Sequence, residues 1–339
     1  MDSSNGDRFA SAAVCICDRI RTFLLALPEA VRKDAQEIRL RVGKPVCVIC
    51  PGGSCFLKQD GGVSRLPEPG CLISSRADLE ESFRMLCGYS VYSHENEIRN
   101  GFVTIRGGHR VGLCGTAVLQ GGIVTGIRDV SSMNVRIARE VPGSADRIFS
   151  LLGEKMEEGL LIAGPPASGK TTVLRDIARQ LSDGKRGTAR KVAIVDERGE
   201  IAGTFRGEAQ NDVGACCDVL NGYPKAEGIL MALRSLSPQV VLCDELGTQS
   251  ETEAVEQGLN AGVTIISSIH AGSLEELVRR KQAEDLLKTG AFGYVALLAG
   301  SGEPGTIRRI LRAGDLLAEA FRGGSADRRG VSYGISGVL

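Results

Sequence analysis

The chain has 339 residues, 42% of them apolar and 24% charged. That balance describes a globular protein long enough for two domains. Lysine plus arginine equals aspartate plus glutamate at 41 each, which argues against a generally basic protein that coats nucleic acid. Aromatic residues are only 4% and tryptophan is absent, so no stacking platform for single strands is evident.

The first stretch, MDSSNGDRFASAAVCICDRIRTFLLALPEAV, lacks a basic leader, and Asp18, Arg19 and Arg21 break its apolar runs. It does not read as a signal peptide. No run approaches the roughly 18 apolar residues of a membrane span, so the expected location is the cytoplasm, with membrane attachment only through a partner. Residues 8–33 carry a helical apolar pattern, and EIRLRVGKPVCVICPGG (37–53) alternates as a strand, a turn and a strand. Eleven cysteines in a chain without a secretory signal do not suggest a disulfide framework. Cys47 and Cys50 would point to opposite faces of a strand, with no histidine nearby. With Cys55 they read as buried small hydrophobes rather than metal ligands. A helix is predicted over 77–88, opened near Ser75 and Arg76. A glycine-punctuated hairpin follows, with strands at Phe102–Ile105 and Arg110–Leu113, and then a strand at Asn134–Ile137. Pro142-Gly143-Ser144 interrupts the pattern, so residues 1–145 are expected to form a smaller α+β domain with antiparallel pairings.

The second half has another rhythm. Four apolar runs end abruptly in polar groups: LLIAG (160–164), VAIVDE (192–197), VVLCDE (240–245) and VTIISSIH (263–270). Helical segments, among them 226–236 and 250–261, lie between them. Strands alternating with helices predict βαβ units and a mainly parallel sheet buried on both faces. This α/β domain is placed at 146–321, and the Gly-, Ser- and Arg-rich tail at 322–339 is expected to be loosely ordered. In such sheets, ligands sit at the carboxyl ends of the strands, where all four polar endings fall.

Gly164-Pro165-Pro166-Ala167-Ser168-Gly169-Lys170-Thr171 is a full G-x-x-x-x-G-K-[ST] phosphate loop, followed by Thr172. It stands between an apolar strand and a helix marked by Val173, Leu174, Ile177, Ala178 and Leu181. In that setting backbone N–H groups and the helix dipole converge on an anion. Lys170 would reach the β- and γ-phosphates of ATP, and the Thr171 hydroxyl would sit on Mg²⁺. Asp244-Glu245 after Val240–Cys243 forms a Walker B pattern: Asp244 for the Mg²⁺ shell, Glu245 for the attacking water. Alone, such a pair is as readily a solvated strand end; the complete phosphate loop tips the balance. Asp196-Glu197 supplies a second acidic pair, against the simpler reading of a surface salt bridge. The general base is therefore Glu197 or Glu245. His270, one of three histidines, ends an apolar strand where a neutral imidazole could sense the γ-phosphate; a lone histidine there can also be merely a satisfied polar residue. Arg136, Arg139, Arg198, Arg206 and Arg234 are candidates for a cation acting across subunits.

Phosphate loop, acidic box (VAIVDERGEIAG), Walker B (VVLCDELG) and histidine box (TIISSIHAG) occur in the order of the secretion-ATPase superfamily, which the chain resembles over about residues 30–300. EIRLRVGKP (37–45), SVYSHENEIRNGFVTIRGGHRVGLCGTA (90–117), NVRIARE (134–140) and DVLNGYPKAEGILMALRSLSPQVVLCDELG (218–247) resemble its sporulation branch more narrowly. The resemblance implies a RecA-like P-loop core and a cytoplasmic Mg-ATPase in the mother cell. It implies a homo-oligomeric ring, a hexamer, docked on membrane proteins. The ring would power a secretion-like channel between mother cell and forespore. It carries roles to Lys170, Thr171, Asp196, Glu197, Asp244, Glu245 and His270. The traffic motors often have Gly-Glu where this chain has Asp244-Glu245, which leaves their choice of water-activating residue open here. The zinc-binding four-cysteine element of some of these motors is absent. Two readings from other classes compete: a nucleic-acid-associated P-loop ATPase, and a nucleotide-gated scaffold with little turnover.

Overall fold

The computed structural model describes residues 4–88, 90, 94–99, 101–185 and 187–323. Its chain divides into two compact units: Met1–Val141 with Arg198–Val213, and Pro142–Glu197 with Gly214–Leu339. A division by sequence position at 145/146 thus does not describe where Arg198–Val213 lies. The tail read as 322–339 lies outside the described residues from 324 onward.

The first unit opens with α1 (Ser4–Ala13), α2 (Asp18–Leu25) and α3 (Glu29–Asp34). Then come β1 (Glu37–Arg41), β2 (Lys44–Pro45), β3 (Cys47–Cys50), β4 (Gly53–Leu57), β5 (Val63–Ser64), β6 (Ile73–Ser74), α4 (Arg76–Leu86), α5 (Glu95–Arg99), β7 (Phe102–Ile105), β8 (His109–Gln120) and β9 (Ile123–Arg136). Seven strands form one sheet in the order β5-β4-β3-β1-β9-β8-β7, antiparallel at every pairing. Alternation in β1 puts Ile38 and Leu40 inward, into one cluster with Phe9, Ile20 and Leu24 from the helices, Ile16 from the link between α1 and α2, and Met133 and Val135 from β9. Ser75 starts α4 through a reciprocal capping box: its hydroxyl accepts from Asp78 N, and the Asp78 carboxylate accepts from Ser75 N at 2.7 Å. The Arg19 guanidinium bonded to Asp78 holds that carboxyl well below the usual range.

The predicted hairpin is β7 with the start of β8, paired from Phe102↔Gly112 to Ile105↔His109, and β8 then continues into a second, longer hairpin with β9. Pairing runs from Arg110↔Arg136 out to Gln120↔Ile123, and the distal half is exposed, with Leu119 at 62% and Ile123 at 68%. Without a buried face, the distal strands show no inward alternation to read.

Arg198–Val213 is pinned to the first unit by polar contacts. Gly107 N donates to Gln210 Oε1 at 2.8 Å, Arg110 pairs with Glu200, and Asp212 N donates to Glu140 Oε1 at 2.8 Å. Ile201 and Ala202 are fully buried.

The second unit contains α6 (Asp146–Leu152), a 3₁₀ turn at Gly153–Glu158, β10 (Leu160–Gly164), α7 (Lys170–Ser182), β11 (Val192–Asp196), β12 (Cys217–Asn221), α8 (Lys225–Ser235) and β13 (Val240–Cys243). It continues with α9 (Gln249–Asn260), β14 (Thr264–His270), α10 (Leu274–Arg279), α11 (Lys281–Lys288), β15 (Tyr294–Leu298), β16 (Ile307–Arg312) and α12 (Ala313–Gly323). Its sheet runs β12-β11-β13-β14-β10-β15-β16, parallel except for β16. Every residue of β10, β11, β13 and β15 is buried, as expected of strands covered on both faces. The carboxyl ends of β10, β11, β13 and β14 therefore share one edge. Among the described residues no helix is long and apolar enough to cross a membrane.

His109 is fully buried in the first unit. Its Nδ1 accepts from Ala138 N at 3.0 Å, which fixes Nε2 as the N–H that donates to Ser11 Oγ at 2.8 Å. Burial, aided by the Arg8 charge, pushes its pKa from 6.5 down to about 4. Only the unfolded chain then takes up this proton at mildly acid pH. The stability contribution is complete above pH 6.5 and is lost as pH falls toward about 4. Urea unfolding between pH 7 and pH 4 is expected to show this decline, and His109→Gln, though less stable at pH 7, to show a flatter one.

Candidate functional site

The loop between β10 and α7 is shaped by two residues in the left-handed region, Ala167 (φ 58°) and Gly169 (φ 88°). Gly169 also packs too closely for a side chain: an added Cβ would lie 2.7 Å from Gly305 N. Gly305 N in turn donates to Ser168 O at 2.8 Å, so the segment before β16 braces the loop. Pro166 and Ala167 are exposed at the crest, Pro165 is half-buried, and Gly164 and Ser168 are buried at the base. Ser168 Oγ is buried without a hydrogen-bond partner. Helix α7 begins at Lys170, so its first amides have no intrahelical acceptor. Thr172 stands in this first turn, its carbonyl accepting from Ser144 Oγ at 3.3 Å.

Lys170 is buried, and its Nζ donates to the carbonyls of Gly164 and Pro165 at 3.0 Å each. Burial depresses this ammonium's pKa, and the carboxylates of Glu245 and Asp244 oppose the depression. Thr171 Oγ1 donates to Asp244 Oδ2 at 2.6 Å, while Ser268 Oγ donates to Asp244 Oδ1. Ser268 Oγ also accepts from Glu245 N at 3.1 Å. One carboxylate thus joins α7, the end of β13 and β14. Glu245 is exposed and adopts φ 47°, an unusual conformation for a residue with a side chain.

Asp196 is buried at the end of β11, and its carbonyl accepts from Gly222 N at 3.0 Å. Glu197, the next residue, forms an ion pair with Lys225 at 3.2 Å. Lys225 also pairs with Glu251 at 3.4 Å and donates to Glu245 O at 2.9 Å. His270 is half-buried and stands in register with Gly164, the first loop residue. Of the arginines considered, Arg136, Arg139, Arg198 and Arg206 belong to the first unit and Arg234 to the second. Arg139 donates to Lys33 O and Ala35 O at 2.6 and 2.8 Å.

The structure therefore brings Lys170, Thr171, Asp244 and Glu245 together, sets His270 one strand away from the loop, and links Glu197 to Glu245 through Lys225. Sequence reasoning passed over Ser268, Lys225 and Glu251. Ser268 lay inside the histidine-box run and Lys225 inside NGYPKAEG, with no local feature to distinguish either from a strand serine or a solvated lysine. The residues present suit a nucleotide with a divalent cation. The helix N-terminus and the orphaned Ser168 hydroxyl suit phosphate oxygens, and the Thr171 hydroxyl with the Asp244 carboxylate forms a hard oxygen donor set.

Gly169→Ala is expected to lower stability by about 1–3 kcal/mol, because it imposes both left-handed strain and a backbone collision. Chemical denaturation measures this; a loss below about 0.5 kcal/mol would mean that the Gly305 segment yields freely.

A model of the family described as "Sporulation stage III, protein AA" matches residues 11–315, and the chain belongs to that family. It is 40% identical over 294 residues to the stage III sporulation protein AA of Bacillus subtilis (strain 168), covering 86% of this chain and 92% of that protein. An uncharacterized protein, ycf45, of Porphyra purpurea is 31% identical over 173 residues, which are 50% of this chain and 29% of the other. Among solved structures, the Legionella pneumophila ATPase DotB superposes with a TM-score of 0.57 at 17% identity, covering 91% of this chain and 84% of that one. The Yersinia pseudotuberculosis ATPase DotB gives 0.53 at 16% identity, covering 90% and 84%. These likenesses show the fold: a RecA-like α/β core, preceded in sequence by an α+β unit.

Proposed function

We propose that this member of the sporulation stage III protein AA family binds and hydrolyses Mg-ATP, and that the hydrolysis drives a secretion-like channel between mother cell and forespore. The observation that carries the proposal is the convergence of Lys170, Thr171, Asp244 and Glu245 on one loop at the carboxyl edge of a parallel sheet. A scaffold for passive nucleotide binding has no use for a second carboxylate, Glu245, whose charge with that of Asp244 acts on Lys170.

In this mechanism the loop Gly164–Thr172 wraps the phosphates, with the N–H groups of its non-proline residues and the Lys170 ammonium donating to them. Thr171 and Asp244 would hold Mg²⁺, which when bound would supply positive charge against the charge that develops on the phosphates. A carboxylate from the pair Glu245 and Glu197 orients and deprotonates the attacking water. His270, level with Gly164, hydrogen-bonds the γ-phosphate region and senses its departure. An arginine of a neighbouring subunit completes charge stabilisation. Residues 146–321, without the Arg198–Val213 excursion, form the ATPase domain. The working form is a homo-oligomeric ring, a hexamer, in the mother-cell cytoplasm, held at the membrane by channel proteins. Family membership supports the sporulation setting, and the secretion-ATPase fold supports the ring and its membrane partners.

Lys170→Ala is expected to reduce ATP hydrolysis by at least about 10²-fold with an unchanged circular dichroism spectrum; undiminished turnover would remove the proposal. With a non-hydrolysable ATP analogue, sedimentation velocity at micromolar protein is expected to shift from monomer to a closed ring. A monomer throughout that range would count against ring formation by the chain itself.

A further inference from the structure

Lys225 occupies a place that the ATPase reading does not explain. It opens α8 directly after Pro224, which fixes the entry to the helix with φ −53°. The turn before it is anchored, because Gly222 N donates to Asp196 O at 3.0 Å. The side chain is only 11% exposed. Its ammonium has three donors and meets three acceptors from three elements: Glu245 O at 2.9 Å, Glu197 Oε2 at 3.2 Å and Glu251 Oε1 at 3.4 Å.

Each partner does something definite. Glu251 is itself the reciprocal cap of α9, accepting from Gly247 N at 2.7 Å and Thr248 N at 2.9 Å. The segment joining Asp244 to α9 is therefore held from Lys225 through Glu251. Glu245 sits at φ 47°, a conformation that costs about 1–2 kcal/mol and persists only where neighbours enforce it. Its N–H is fixed by Ser268 and its carbonyl by Lys225, one clamp on each side of the residue. The Glu197 carboxylate is ion-paired with this buried cation. Burial alone would depress the Lys225 ammonium, but the charges of Glu251 and Glu197 outweigh it and raise the group above its ordinary value. Lys225 therefore stays charged at neutral pH.

We propose that Lys225 is a positioning residue: it holds the Glu245 peptide in its left-handed turn and occupies Glu197, so that Glu245 is the carboxylate that activates water and Glu197 acts through Lys225. The inference rests on the ATPase reading above and settles which of its two glutamates serves as base.

The test is steady-state ATP hydrolysis by the full chain, with affinity for a fluorescent ATP analogue and thermal unfolding measured alongside. Lys225→Met is expected to lower kcat at least about tenfold while KM and analogue affinity move less than about threefold. Lys225→Arg is expected to recover most of that loss. Glu197→Gln is expected to cost no more than Lys225→Met, and the double variant no more than Lys225→Met alone, because both act on one contact. Glu245→Gln is expected to abolish turnover in either background. Lys225→Met turning over at the wild-type rate, or Glu197→Gln as inactive as Glu245→Gln, overturns the proposal. If Lys225→Met does not fold, the comparison of Glu197→Gln with Glu245→Gln decides. Hydrolysis surviving in Lys170→Ala would instead overturn the ATPase reading itself, so the two failures are distinguishable.

Discussion

The hydrogen bond from Thr171 to Asp244, 2.6 Å long, is the constraint on which the rest of the site depends. It ties the first turn of α7 to the end of β13, and Ser268 extends the tie to β14. The contact exists because three parallel strands end at one level, and they end there because the sheet is buried on both faces and the polar residues must emerge at its edge. Once Asp244 is so held, Glu245 can leave the strand only by an abrupt turn, which explains its left-handed backbone. The cation that braces this turn comes from a different crossover, the one entering α8.

Much of the second unit was legible in the sequence for the same physical reason. LLIAG, VAIVD, VVLC and TIISSIH are predominantly apolar and almost wholly buried because both faces are covered, and each stops where the sheet stops. Other strands escaped notice. β12 (CDVLN) lies at the sheet edge with an exposed aspartate, so its pattern is diluted. β16 (IRRILR) is a partly exposed antiparallel edge strand rich in arginine. The long hairpin of β8 and β9 could be read only where it joins the core. In these three cases the missing signal is a missing buried face; β15 (YVALL), buried throughout, was passed over although its apolar run was there to read.

The candidate site divides along the same line. Lys170, Thr171, Asp244 and Glu245 were readable because their spacing and their strand-end context are local. Lys225 was not, because its meaning lies in partners 20, 28 and 26 positions away, at Glu245, Glu197 and Glu251. A lysine at the start of a helix offers no local sign of being buried. Arg198–Val213 was opaque for a related cause: it belongs with Met1–Val141, and its polar ties run far upstream to Gly107, Arg110 and Glu140.

That excursion bears on how the protein is made. The first unit, although it begins the chain, is not complete until Val213 has been synthesised, since Arg198–Val213 is part of it. β10, α7 and β11 emerge from the ribosome in between. The usual vectorial order, in which an amino-terminal domain folds before the next begins, is therefore closed to this chain. The first unit must wait with an unfinished surface while the phosphate loop is already outside, and the two units reach their native states as interleaved rather than successive events.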